Sequence, residues 1–152
     1  MMDSRIQNMK VGDKFATQPR MITATDIETF CSISGMMAPG FLSDAYIKRD
    51  KYYQETGLKS RVVPGWLQAS FSSGNLILSA LLSDGIFQLG ANNVNSIAPA
   101  YPYDELKTEI EIMSRKVTKD GERVVIVYKW QVKNQNDVVT AKGENTCMFK
   151  NK

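Results

Sequence analysis

Pro64-Gly65-Trp66-Leu67-Gln68-Ala69-Ser70-Phe71-Ser72-Ser73-Gly74-Asn75-Leu76-Ile77-Leu78-Ser79-Ala80-Leu81-Leu82-Ser83 is a run of twenty residues without a charged side chain. Trp66, Leu67, Phe71, Leu78, Leu81 and Leu82 form its heavy apolar face. Ala69, Ser70, Ser72, Ser73 and Gly74 make a small-residue stretch in its first half. The reading is one long helix from about Gly65 to Ser83, buried nearly all round because no part of it carries charge to water. Small residues let such a helix lie close to a neighbouring backbone.

Downstream of this run the period changes from helical to two. Ile86 to Tyr101 reads as one long, bent strand, interrupted near Gly90 and ended by Pro99 and Pro102. Leu106, Thr108, Ile110 and Ile112 alternate with polar partners. After the hairpin signal Asp120-Gly121, Val124, Ile126, Tyr128, Trp130 and Val132 alternate in turn. A turn over Asn134 to Asp137 leads into Val139, Ala141, Gly143, Asn145, Cys147 and Phe149. These last three strands read as an antiparallel meander. A buried helix ahead of a long antiparallel sheet predicts an α+β domain with the sheet wrapped around that helix. Met113, Val125 and Val127 on the less apolar strand faces suit an oligomer, and 8 Met suit an adaptable apolar pocket or interface.

Upstream, residues 1–10 are polar and expected to be a flexible N-terminus, and 11–150 form a single domain. Val11 to Arg20 holds a short first strand. Thr23-Ala24-Thr25-Asp26 is a capping box, in which the Thr23 hydroxyl accepts from the Asp26 N–H and the Asp26 carboxylate reaches back. Ile27, Phe30, Cys31 and Ser34 follow at helical spacing, and Gly35 stops the helix. Cys31 reads as a small core residue, since no adjacent Lys or Arg lowers its pKa. Gly35 to Asp44 reads as a loop, yet Met36, Met37, Phe41 and Leu42 make it apolar, as a loop that is buried or lines a cavity would be. Lys48 to Ser60, with Tyr52 and Tyr53, reads as a surface helix or loop.

The chain has 152 residues, 43% hydrophobic and 23% charged, enough for one domain with a real core. Its net charge of +3 comes from scattered residues, which argues against nucleic acid. It has no histidine, so no histidine base, acid or metal ligand can operate. Its two cysteines, Cys31 and Cys147, form no CxxC pattern, so no metal site is expected. They suit a reducing cytoplasm, and no apolar stretch approaches the ~18 residues of a membrane span.

Four patches resemble the MaoC-like dehydratases, the hotdog-fold family that includes the (R)-specific enoyl-CoA hydratases. They are Ile22 to Ile27 through Phe30 and Ser34-Gly35; Pro39 within its loop; Val62-Val63-Pro64-Gly65-Trp66-Leu67 with Ala69-Ser70; and Pro99 to Leu106 with Asn134-Gln135 and Val138-Val139. The resemblance implies a hotdog fold and acyl-thioester chemistry. In the family the loop after the first helix reads Gly-Asp-x-Asn-Pro-x-His, whose Asp and His activate a water that adds to an enoyl thioester. Here that stretch is Gly35-Met36-Met37-Ala38-Pro39-Gly40-Phe41. Met36, Ala38 and Phe41 stand where the family has Asp, Asn and His, and none of them can transfer a proton. The resemblance further implies that the Gly65 backbone N–H, at the start of the central helix, points at the thioester carbonyl.

The expectation is therefore acyl-thioester binding, with acyl-CoA or an acyl carrier thioester as the partner, no cofactor, and Met36, Met37, Phe41, Pro64, Gly65 and Trp66 at the site. A homodimer or higher oligomer is expected, or a heteromer in which a second hotdog chain carries the catalytic pair. The alternative is a hydratase or dehydratase with relocated groups, for which Asp44, Asp50, Glu55, Tyr101 and Tyr103 are the candidates. A hotdog thioesterase would need a carboxylate on or just before the central helix, and the first one is Asp84 at its far end.

Overall fold

The structure is a computed structural model that describes residues 5–83 and 87–151. A 3₁₀ turn, Arg5–Asn8, precedes β1 (Lys14–Ala16), β2 (Arg20–Met21) and α1 (Ala24–Ser34). Three short helices follow: α2 (Pro39–Leu42), α3 (Asp44–Arg49) and α4 (Lys51–Glu55). Then come α5 (Gly65–Leu78), β3 (Phe87–Ser96), β4 (Glu105–Val117), β5 (Arg123–Lys133) and β6 (Val139–Lys150). Every strand pairing is antiparallel, in the order β1-β4-β5-β6-β3, with β2 also on β4. The helix α5 packs against β3, β4, β5 and β6, as the sequence pattern predicts.

The period-two residues make this packing. On β5, Val124, Ile126, Tyr128, Trp130 and Val132 are all at 3% exposure or less. Their neighbours Val125, Val127, Gln131 and Lys133 are only half-buried on the other face. Leu67, Phe71 and Leu76 of α5 meet this inner face in one core with Ile27 and Cys31 of α1. Each such side chain contributes roughly 1.5–3 kcal/mol when fully buried. Trp130 has the space for its indole because Gly143 stands opposite it on β6. A β-carbon on Gly143 would come within 2.7 Å of Trp130 Cζ2.

The capping box at Thr23 forms as read, with Asp26 N–H to Thr23 Oγ1 at 3.1 Å and Thr23 N–H to Asp26 Oδ2 at 2.8 Å. Gly35 closes α1 in the left-handed region at φ 76°. Several expectations need correction. The central helix ends at Leu78, not Ser83. Ala80 takes φ 56°, and the N–H groups of Ala80 and Leu81 turn back onto the carbonyls of Ile77 and Leu76. This is a Schellman closure with Leu81 packed beside Leu76, built on alanine where glycine is usual. Nor is α5 buried all round: Trp66, Ile77 and Leu78 are exposed by 60%, 53% and 72%, because the sheet covers only one of its faces. Over residues 5–10 the N-terminus is packed rather than loose, since Ile6 is fully buried and its N–H donates to Leu81 O.

The segment Val11 to Arg20 gives two short strands. The segment Gly35 to Asp44 contains α2, which Pro39 opens at its first turn. Lys48 to Ser60 belongs to α3, α4 and a following coil, with the Ser43 and Asp50 side chains capping the two helices. The strand expected to reach Tyr101 ends at Ser96, where the N–H groups of Ile97 and Ala98 converge on the one Thr140 carbonyl. Asp84, Gly85 and Ile86 lie outside the described residues.

Candidate functional site

The site elements are brought together by the stretch just before α5. Val62 N–H donates to Gly40 O at 3.0 Å, which fastens α2 to the chain two residues ahead of Pro64. Val63 N–H donates to Ala100 O at 2.8 Å, which fastens the same stretch to the segment after β3. Arg61 reinforces the junction. Its Nη1 donates to Glu28 Oε1 of α1 at 2.9 Å and to Leu42 O at 3.4 Å, and its backbone N–H donates to Asp44 Oδ1 at 3.0 Å. Tyr53 of α4 lies against Gly40, where a β-carbon would stand 3.0 Å from its hydroxyl.

Pro64 is buried and serves as N-cap, with φ −55° and ψ 138°. Gly65 is the first residue of α5. The N–H groups of Gly65 and Trp66 have no carbonyl inside the helix to accept them, and the dipole adds partial positive charge there. Ser96, the last residue of β3, points at this helix start: a β-carbon on Gly65 would overlap Ser96 Oγ. Among the described residues Ser96 Oγ makes no hydrogen bond. Its reach was not legible in the sequence, because the contact joins residues far apart along the chain.

Phe41 is half-buried and packs against the core, and Met36 is half-buried. Met37 is 63% exposed and Trp66 60% exposed, so in the single chain neither is turned fully inward. Trp66 does line a groove of about 510 Å³ between α5 and β3, together with Ser70, Ser73, Ile77, Val94 and Trp130. Asn145 closes its floor. It accepts from Trp130 Nε1 at 3.3 Å and donates to Tyr128 OH at 3.2 Å. Burial pushes the Tyr128 phenol far above its ordinary value, and burial also raises both thiols, Cys31 and Cys147. All three stay protonated and inert near neutrality.

A larger hollow of about 890 Å³ lies on the outer face of the sheet. Two of its carboxylates are held in cross-strand pairs: Lys129 Nζ lies 3.2 Å from Glu111, and Lys133 Nζ 2.8 Å from Glu109. Lys133 holds the Glu109 carboxyl below its usual range. That face is away from α5 and is read as a solvated strand surface.

Three of the five candidates for a relocated acid or base, Asp44, Asp50 and Tyr101, have other engagements. Asp44 Oδ1 accepts from the Arg61 backbone, and its Oδ2 lies 3.9 Å from Arg61 Nε. Asp50 caps α4 through the Tyr53 N–H at 3.3 Å. Tyr101 OH accepts from Lys59 N–H at 3.4 Å. Tyr103 is 60% exposed, and Glu55 is exposed at the end of α4. Buried Asp104 accepts from Tyr101 N–H at 2.9 Å and Gln135 Nε2 at 2.9 Å, which is a structural task. Among the described residues no three His, Cys, Asp or Glu side chains converge to hold a metal ion, and no helix is long and apolar enough to cross a membrane.

An antiparallel sheet packed on one long helix, with short helices leading into that helix, is the hotdog fold, of α+β class. A scan against protein-family models and a search of curated proteins find no match. Among solved structures the chain is similar to the monoamine oxidase regulatory protein of Archaeoglobus fulgidus, with TM-score 0.79, 20% identity, and 97% of this chain and 94% of that one covered. It is similar to the MaoC-like dehydratase of Rhodospirillum rubrum, with TM-score 0.71, 22% identity, and 95% and 96% covered. It is also similar to the (R)-hydratase of A. caviae involved in PHA biosynthesis, with TM-score 0.72, 22% identity, and 93% and 97% covered. At these identities the likeness establishes the fold.

Proposed function

We propose that this chain binds an acyl thioester, with the thioester carbonyl at the Gly65 N–H and the acyl chain among apolar groups, and that it does not run the hydration of its relatives in fold. The observation that carries this reading is the helix start itself. Gly65 leaves its N–H open, Val62 ties it to α2, and the residues Met36, Ala38 and Phe41 on that side offer no acid or base. A carbonyl oxygen gains from the free N–H groups and the dipole, whereas water addition also needs proton transfer, whose loss costs ~10²–10⁴-fold per group. The engagement of Asp44 with Arg61 speaks against the relocated-base alternative.

The proposed assembly is a homodimer, or a heteromer in which a second hotdog chain supplies the missing acid and base. Support comes from β3, an edge strand of ten residues without one charge, with Phe87 and Leu89 exposed by 66% and 54%. Natural edges that stay free are blunted by charge. The test is enoyl-CoA hydration by the purified protein at high concentration, with acyl-CoA binding followed on the same sample. Saturable binding without turnover is expected. Turnover well above a heat-killed control overturns the reading and directs mutation to Asp44, Glu55, Tyr101 and Tyr103.

A further inference from the structure

We infer that the groove between α5 and β3 takes an acyl chain that carries a hydroxyl far from its thioester, and that Asn145 is the residue that selects this chain. The inference rests on the acyl-thioester reading above and names the substrate class for that same site.

The groove runs on from the proposed carbonyl position. Trp66, the residue after Gly65, lines it on the helix side, and Val94, two residues before Ser96, lines it on the strand side. Ala69, Ser70, Ser73 and Gly74 follow along α5, and their small side chains leave the room. The volume of about 510 Å³ lies within the roughly 300–1,000 Å³ of small-molecule pockets.

Its floor is polar. Asn145, only 5% exposed, lines it with an amide that has two N–H donors and two lone pairs to offer. One lone pair takes the Trp130 Nε1 proton at 3.3 Å, and one N–H goes to Tyr128 OH at 3.2 Å. The Tyr128 hydroxyl bonds in turn to the Cys147 sulfur, so the amide is held in one orientation. One N–H and one lone pair of Asn145 are left without a partner among the described residues. On the helix side Ser73 is half-buried, and its hydroxyl makes no hydrogen bond among the described residues. A plain alkyl chain laid here would strip water from these groups and return nothing, which is costly. A hydroxyl both donates and accepts, so it satisfies either.

The strand register places the hydroxyl along the chain. Ser96, which touches Gly65, stands opposite Ala141 on β6, and Ala91 stands opposite Asn145. Asn145 is therefore four residues along β6 from the level of the carbonyl site, about 13 Å at ~3.3 Å per residue. A hydroxyl on the third carbon lies within about 4.5 Å of the carbonyl carbon, at ~1.5 Å per bond, and cannot reach it. The selected hydroxyl sits in the outer part of a long chain.

The test titrates the intact protein with pantetheine thioesters of dodecanoic acid, unsubstituted or with one hydroxyl moved carbon by carbon from the third position outward. One remote position is expected to bind the wild type at least tenfold tighter than the unsubstituted chain. In Asn145→Leu that gain should vanish or reverse. Ser73→Leu, which fills the groove from the helix side and leaves the Trp130–Asn145–Tyr128 hydrogen bonds in place, should weaken every long chain. A wild type that gains from no position, or only from the third carbon, overturns the inference without need of a variant. A gain that both variants keep overturns it too. So does a Ser73→Leu protein with altered oligomeric state and unaltered affinity, which assigns the groove to a second chain. If no thioester of the series binds the wild type, the acyl-thioester reading itself falls and takes this inference with it.

Discussion

The Ser96 side chain stands against the α-carbon of Gly65, in the space where any other residue would carry its β-carbon. The contact joins the end of the edge strand β3 to the start of α5, and it puts a hydroxyl beside open N–H groups. Gly65→Ala meets only the tip of Ser96, which can rotate away at about 0.5–1.5 kcal/mol. Stability to urea should therefore change by no more than about 1.5 kcal/mol, while acyl-thioester affinity falls at least tenfold. A large loss of stability with unchanged affinity would make Gly65 a packing residue only.

Gly143→Ala should behave in the opposite way. The new β-carbon meets the ring of Trp130, which is 3% exposed and held by Asn145 through Nε1, so no rotation relieves it. Overpacking of this kind costs typically 1–3 kcal/mol. A urea midpoint shift of that size is expected, with loss of the native Trp fluorescence signature. An unchanged midpoint would mean that the indole has room to move.

Arg61 holds α1, α2 and α3 to the stretch ahead of Pro64 with a side chain only 15% exposed. Arg61→Ala should cost about 1–2 kcal/mol, more than a surface ion pair, since it also frees a buried carbonyl contact. Arg61→Lys should recover less than half, because one ammonium cannot reach Glu28 and Leu42 O with the fork of a guanidinium. Equal stability of the lysine variant in chemical denaturation would contradict this account of the junction.

Burial suppresses the ionisation of Tyr128, Cys147 and Cys31 in the folded chain by raising their pKa values. Below the unfolded values, ~8.5 for Cys and ~10 for Tyr, both states hold these protons and stability is at its full value. As pH rises through them the unfolded chain releases protons that the folded chain still keeps, so stability falls. Denaturation midpoints should decline steadily above about pH 8.5. Both thiols should resist a disulfide reagent at neutral pH until the protein is unfolded. A midpoint flat up to pH 11 would contradict the assigned burial.

Much of the architecture was legible in the sequence. The Thr23-to-Asp26 box, the αL glycine at Gly35 and the alternation from Leu106 to Phe149 are local or periodic signals, and each formed as read. The end of α5 was not legible, because its Schellman turn uses Ala80 instead of glycine and is held by the burial of Leu81 against Ile6 and the core. The helices α3 and α4 were ambiguous because they are too short for periodicity to count; their caps, Ser43 and Asp50, were the available signal. At the site, the apolar character of Met36 and Phe41 was readable in the sequence; the reading that they stand in place of an acid and a base rests on the family resemblance alone. The nearness of Ser96 to Gly65 depends on tertiary packing, which no local pattern reports.

The most direct measurement is the backbone amide spectrum of ¹⁵N-labelled protein during titration with an acyl thioester, beside a thioether of the same chain that lacks the carbonyl. The account predicts saturable shifts, with the Gly65 amide moving strongly for the thioester and only weakly for the thioether. Saturable shifts that leave Gly65 unmoved, or no saturable shift with either compound, would contradict it.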